Sequence, residues 1–367
     1  MPLLGAPLLI VLGVLAAALP VATVLVWERL RGPRAVLVSA RLTLLVLCQL
    51  AAVLLTGAAL NNYGYFYGSW SELLGGGAKA GPPSREHFGA SASPDGGTAT
   101  DSLIPHGSPL VDGRVDSVTV AGAMSRLAQP ALVYLPPQYF RGQHALPVVE
   151  VLTGYPGSEL NLVARLHYPG LLWRGIRAGT TRPMVLVMLR PTVAPPRDTE
   201  CTDVPGGPQA LSYFAQDVPQ AITTRYRLKP SGLGVIGDST GGYCAVKLAL
   251  LHPERFRAAV SLSGYYHAIH DVTTGDLWGG SRVLRDLNDP TWRLQHLAAP
   301  PISLLVATTR EERGPDGYAT AQRFLHLVKP PMSADELVLA QGGHNFATWE
   351  KQIPEALAWL SDHLRAA

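Results

Sequence analysis

The sequence predicts an α/β sandwich, a parallel sheet with helices on both faces, carried behind two membrane-spanning helices. Three observations lead there. Two long runs near the start hold no charged side chain. A stretch rich in Gly, Ser and Pro follows, with no apolar period. Beyond it, short continuous apolar runs alternate with amphipathic stretches, the pattern of strands buried on both faces between covering helices.

The first uncharged run covers residues 2–27 and the second residues 42–60. At roughly 1.5 Å of rise per residue, each is long enough to cross a hydrocarbon core of about 30 Å. We therefore expect helices at about 3–27 and 36–60 within an N-terminal segment 1–70. Both runs are apolar on every face, which argues against a soluble helix pair. Arg29, Arg31 and Arg34 lie between them, with Arg41 just ahead of the second run. The positive-inside rule keeps these arginines in the cytoplasm, so both termini face outward. The aromatic cluster Tyr63, Tyr65, Phe66, Tyr67 and Trp70 then falls at the outer interface. A secretory signal cleaved near Ala58 or Ala59 is the rival, but it leaves the first run without a purpose. The net charge of +3 excludes nothing by itself. No basic patch interleaved with aromatics points to nucleic acid.

Residues 71–113 read as a linker. The sandwich then occupies 114–367. "VDSVTVAG", "PALVYLPPQYF", "LPVVEVLTGYPG", "RPMVLVMLRPT", "SGLGVIGDS", "FRAAVSLSG", "PPISLLVATT" and "DELVLAQGG" read as strands. "GPQALSYFAQDVPQAITTRYR", "GGYCAVKLALLHPERF", "GYATAQRFLHLVK" and "WEKQIPEALAWLSDHLRA" read as helices.

Chemistry concentrates at "VIGDSTGGYCAVK". Ser239 stands between Gly237 and Gly241, after a strand and before a helix. That is the setting of a G-x-S-x-G elbow, where a tight turn lifts the hydroxyl above the strand ends. The helix N-terminus beneath it offers backbone N–H groups to a developing oxyanion. Such a hydroxyl needs a base. Of the later histidines, His252 ends the elbow helix, His267 and His270 sit in a loop, and His326 and His363 fall on amphipathic helices. His344 alone follows the last strand, through Gly342 and Gly343. An acid to orient it should follow the preceding strand, where Glu311 comes first, with Glu312 and Asp316 as the remaining candidates. The second oxyanion donor should come from "TGYPG", so the backbone N–H groups of Tyr155 and Thr240 are expected to share that task. No H-x-x-x-H or C-x-x-C pair and no Walker lysine occurs in this region, so no metal or nucleotide cofactor is expected. Of the three cysteines, Cys48 lies in the second apolar run. Cys201 and Cys244 lie in the outward domain, where an oxidising compartment lets them pair.

"ALVYLPPQYF…LPVVEVLTGYPG", "GVIGDSTGGYCAVKLAL…HPERFRAAVSLSGYY" and "LVLAQGGHNFATWEKQIPEALAWL" resemble the esterase D superfamily of α/β-hydrolases. That group includes S-formylglutathione hydrolases, feruloyl and enterochelin esterases and mycolyltransferases. The resemblance covers about residues 114–365. It implies an α/β-hydrolase sandwich, with the nucleophile on Ser239, the histidine on His344, the acid on Glu311 and the oxyanion donors on Tyr155 and Thr240. It further implies a membrane-anchored, actinobacterial type of esterase. Two departures bear on the substrate: Thr153-Gly154 replaces the His-Gly or Asp-Gly of many relatives, and Thr240 replaces their Met. Residues 267–292 lie between two core strands and are expected to wall the pocket, with Trp278 and Trp292 as apolar contacts.

The function expected from the sequence is therefore an outward-facing serine esterase of the cell membrane, acting on a small-molecule or lipid ester. Two alternatives stand beside it. One is an acyltransferase, whose acyl-enzyme is resolved by a sugar or lipid hydroxyl. The other is a catalytically idle domain that binds the cell envelope, which has no need of an intact Ser/acid/His set.

Overall fold

Both uncharged runs are helical, at Ala6–Trp27 and Arg34–Gly64. The computed structural model describes residues 3, 5–64, 70–73, 107–314 and 317–364. Tyr65, Phe66, Tyr67, Asp316 and most of the expected linker lie outside the described residues. The chain divides into two compact units, one built on the apolar helices and the other on the sheet.

The helices are long and apolar enough to cross a membrane, with mean hydropathies of 2.7 and 2.2 over their most apolar windows. Only 6% and 11% of those windows is buried, so among the described residues little protein covers their apolar faces. They fold back on one another as a hairpin. Gly5 N–H donates to Asn62 Oδ1 at 2.6 Å, and Thr23 Oγ1 lies 3.4 Å from Cys48 Sγ. The Arg41 guanidinium lies 4.8 Å over the Trp27 ring.

The second unit holds one eight-stranded sheet. Its strands are β1 (Arg114–Ala121), β2 (Ala128–Leu135), β3 (Val148–Leu152), β4 (Val185–Leu189), β5 (Leu233–Asp238), β6 (Phe256–Leu262), β7 (Ser303–Thr309) and β8 (Ser333–Leu339). Their spatial order is β1-β2-β4-β3-β5-β6-β7-β8. β2 runs antiparallel to both β1 and β4, and β3 through β8 pair in parallel. All eight strands fall on runs the sequence singled out.

The period-two alternation of strands sends side chains to two cores. Val148, Leu152, Val187 and Val235 join Tyr213, Val218, Tyr243, Val246 and Phe324 on one face. Val149, Val151, Leu186 and Ile236 join Leu162, Tyr168, Leu172, Ile353 and Leu357 on the other. Helices Thr240–Leu251 and Tyr318–Leu325 therefore cover the first face, and Tyr168–Ala178 and Phe346–His363 the second. Tyr168–Ala178, which makes the crossover from β3 to β4, was not among the expected helices. The strand order reverses between β3 and β5. Chain segments leaving their carboxyl ends diverge there and open a crevice, the usual ligand position in a parallel sheet.

One strand residue breaks the apolar rule. Glu150, midway along β3, is 1% exposed, and neither carboxyl oxygen has a hydrogen-bond partner. Burial pushes its carboxyl well above the ordinary value of 4.5. A group raised on folding contributes stability that is fully present below its unfolded pKa and is lost as the pH rises. Glu150→Leu removes the acid at similar volume. It is expected to raise the melting temperature at pH 8 by several degrees, for a burial cost of about 1–3 kcal/mol, and by less at pH 4. Thermal scans at the two pH values check this; equal shifts would mean that ionisation of the buried acid is not the cause.

Candidate active site

Ser239 lies at the crevice, between the end of β5 and helix Thr240–Leu251. Its backbone is strained, with φ 53° and ψ −121°, a conformation non-glycine residues rarely adopt. The neighbouring glycines explain how the chain holds it. A Cβ on Gly241 would overlap the Leu152 carbonyl, and one on Gly237 would overlap the Gly241 backbone. Gly154, following β3, passes so near that a Cβ there would stand 2.9 Å from Ser239 Cβ. The elbow and the β3 loop are thus in direct backbone contact.

His344 follows β8 and reaches the elbow as expected. Ser239 Oγ–H is placed to donate to His344 Nε2 at 2.9 Å. The Trp349 ring packs edge-on to the imidazole, with centroids 5.0 Å apart. The carboxylate that reaches His344, however, is not that of Glu311. His344 Nδ1–H donates to Glu312 Oε1 at 2.8 Å, whereas the Glu311 carboxylate points out of the site and accepts Gly342 N–H at 3.1 Å. The reason is a turn after β7. Glu312 N–H donates to Thr309 Oγ1 at 3.2 Å, which curls the chain and rotates Glu312 inward. There Glu312 is 5% exposed, and its other oxygen accepts the Ser263 hydroxyl at 2.8 Å. Glu311 instead braces the glycine turn that carries His344.

Of the two expected oxyanion donors, Thr240 is the first residue of its helix, where backbone N–H groups have no acceptor within the helix. In the β3 loop, Gly154 N–H is already given to Asp238 Oδ2 at 2.9 Å, which leaves the next amide, that of Tyr155, as the loop's candidate. Burial pushes the Asp238 carboxyl up to about 7, against the opposing pull of the Gly154 N–H and of His344.

A groove of about 380 Å³ starts at Tyr155 and is lined by Pro196, Arg197, Val272, Thr273, Thr274 and Gly275. Residues 267–292 thus contribute a wall, but not through the expected tryptophans. Trp278 is 3% exposed, packed with Val204, Ala268 and Leu277, and the Trp292 ring stacks on His296 at 4.5 Å. Neither lines the groove. A larger groove of about 800 Å³ runs along β1 and helix Val218–Arg225, and Ser239, His344, Glu312 and Tyr155 are not among its lining residues. Cys201 and Cys244 are bonded, with Cα atoms 5.7 Å apart. Asp198, Glu200 and Lys247 cluster beside that bond. Sequence reasoning passed over them; the two acids of "RDTEC", next to a cysteine expected to pair, were the available signal.

Comparison with known proteins agrees with this architecture. A family model described as "Putative esterase" matches residues 128–360, well over half of the chain. The MPT51 antigen of Mycobacterium leprae is 39% identical over 75 residues, 20% of this chain and 25% of that protein. The diacylglycerol acyltransferase/mycolyltransferase Ag85A of the same organism is 25% identical over 114 residues, 27% of this chain and 33% of that one. The matched segment spans between a quarter and a third of these relatives. Among solved structures, an S-formylglutathione hydrolase from Agrobacterium tumefaciens superposes with a TM-score of 0.60 at 17% identity, covering 71% of this chain and 99% of its own. Mycobacterium tuberculosis MPT51 superposes at 0.53 with 17% identity, covering 68% and 99%. At such identities these two structures speak to the fold.

Proposed function

This chain belongs to the Esterase family, and from that we propose that it is a membrane-anchored serine esterase whose catalytic domain faces outward. The observation that carries the reading is the continuous relay from Glu312 through His344 to Ser239, at 2.8 and 2.9 Å. Ser239 Oγ attacks the ester carbonyl while His344 Nε2 takes its proton. Glu312 holds the tautomer that leaves Nε2 free to accept, and stabilises the imidazolium that forms. The negative charge on the carbonyl oxygen is met by the N–H groups of Thr240 and Tyr155. His344 then protonates the departing alcohol, leaving an acyl group on Ser239. Water, deprotonated by His344, releases the acid. The outward placement rests on the arginines between the apolar helices and on the Cys201–Cys244 bond, which suits an oxidising compartment.

The test uses the full chain solubilised in a mild detergent. A fluorophosphonate is expected to label the wild type covalently and to leave Ser239→Ala unlabelled. Hydrolysis of p-nitrophenyl acetate by that variant should fall by about 10⁴-fold or more. Labelling that persists in Ser239→Ala would remove Ser239 as nucleophile. A C-terminal reporter active only outside the cytoplasm checks the topology, and its silence overturns the outward placement.

Acyl transfer is a second reading, favoured by the stretch shared with a protein named as a diacylglycerol acyltransferase/mycolyltransferase. The acyl-enzyme is common to both readings. They part at its fate: with trehalose present, a transferase forms an acylated sugar, whereas a hydrolase forms free acid alone.

A further inference from the structure

Asp198, Glu200 and Lys247 are buried, yet no step above uses them. They belong to a strap, residues 197–202, that follows β4 and lies against the start of helix Thr240–Leu251. Three ties hold it there. Cys201 is bonded to Cys244. Lys247 Nζ donates to the Glu200 carbonyl and to Thr202 Oγ1, each at 2.7 Å. The Thr240 hydroxyl donates to Asp198 Oδ2 at 3.2 Å. Glu200 and Cys201 have φ of 45° and 49°, a costly backbone that persists only where the surroundings demand it.

The other side of the strap grips the groove. Asp198 N–H donates to the Thr273 carbonyl at 3.1 Å. The Arg197 guanidinium donates to the carbonyls of Thr274 and Asp276 at 2.7 and 2.6 Å. Asp198 therefore touches the oxyanion turn with its side chain and the groove wall with its backbone. Its carboxylate cannot swing away, because Oδ1 accepts Glu200 N–H at 3.0 Å.

We propose that Asp198 is a positioning residue: by holding the Thr240 hydroxyl it fixes the amide that meets the oxyanion and couples that amide to the wall of the groove. This rests on the assignment of Ser239 as nucleophile. Oxyanion stabilisation depends on donors that are oriented before charge develops. The first turn of a helix has the least support of its own, since its N–H groups lack partners within the helix. A hydrogen bond to an ionised acceptor is the stronger kind of anchor for such a turn. Burial pushes the Asp198 carboxyl up to about 6, so at pH 8 it is ionised.

The experiment measures kcat and KM for p-nitrophenyl acetate at pH 8 on the full chain in detergent. Rates are expressed per active site, counted by fluorophosphonate labelling taken to completion. Thr240→Val keeps the buried shape and removes the hydroxyl; Thr240→Ser keeps the hydroxyl. Thr240→Val and Asp198→Ala are each expected to lower kcat per site by about 10-fold or more, with KM within about twofold. Thr240→Ser should restore kcat. The double variant should be no worse than either single one, because both break the same bond. A purely structural role would reduce the number of sites and leave kcat per site unchanged, and that result overturns the proposal. So does Thr240→Val within about twofold of wild type; should Asp198→Ala not fold, the two Thr240 variants decide. Ser239→Ala is run alongside. Labelling in that variant overturns the nucleophile itself, whereas an inert Ser239→Ala beside a normal Thr240→Val removes only the role of Asp198.

Discussion

Glu312→Gln is expected to lower kcat by about 10⁴-fold, while Glu311→Gln stays within a few-fold of wild type. The two residues are adjacent and carry the same carboxylate, so chemistry alone predicts equal losses. Geometry separates them. Glu312 is buried, accepts from His344 Nδ1 at 2.8 Å and is itself fixed by Ser263. A glutamine there keeps the shape but can turn its amide N–H toward the ring. That favours the tautomer with the proton on Nε2, which cannot take the proton of Ser239. Glu311 accepts one backbone N–H, from Gly342, and the amide oxygen of glutamine can do the same. Steady-state rates with p-nitrophenyl acetate and rates of fluorophosphonate labelling check both variants. A Glu311→Gln variant as damaged as Glu312→Gln would show that the turn carrying His344 matters as much as its acid partner.

Removing the disulfide is expected to have the largest effect on stability. The bond joins residues 43 apart, and a loop of that size contributes about 4 kcal/mol through the chain entropy it removes from the unfolded state. For a domain of this size the Cys201→Ala/Cys244→Ala variant should melt roughly 8–16 °C lower. Both cysteines are fully buried, so a mild reductant should leave the folded wild type intact and lower its melting temperature only once unfolding exposes the bond. Scans of wild type and double variant, with and without dithiothreitol, test this. If the two melt together in the absence of reductant, the hydrogen bonds of Lys247 and Asp198 are enough to hold the strap.

Much of the architecture was legible because it rests on local patterns. Each strand is a short apolar run buried from both sides, and "GDSTGG" needs its glycines for a turn that no other residue fits. Helix Tyr168–Ala178 escaped notice because Pro169, Gly170 and Gly175 weaken its helical signal. It forms because Tyr168 and Leu172 are wholly buried against the sheet, a gain that outweighs weak propensity. The tryptophans failed for the opposite reason. Apolar residues in a pocket-forming segment are as well suited to packing that segment, and Trp278 is spent inside it.

By itself the sequence determined the two apolar helices, the α/β sandwich, the serine on its glycine turn and the histidine after the last strand. These depend on periodicity, on glycine at tight backbone approaches and on chain order, all of which are properties of neighbours along the chain. Only the tertiary structure decided between Glu311 and Glu312, because the bonds that Glu312 N–H donates to Thr309 set which carboxylate turns inward. It brought the cysteines the sequence offered as a pair, Cys201 and Cys244, to 5.7 Å between Cα atoms, and it alone set Asp198 against Thr240, across 42 residues of chain. Such contacts are made between elements that the sheet brings together, and no local pattern in the sequence encodes the direction in which a side chain leaves a turn.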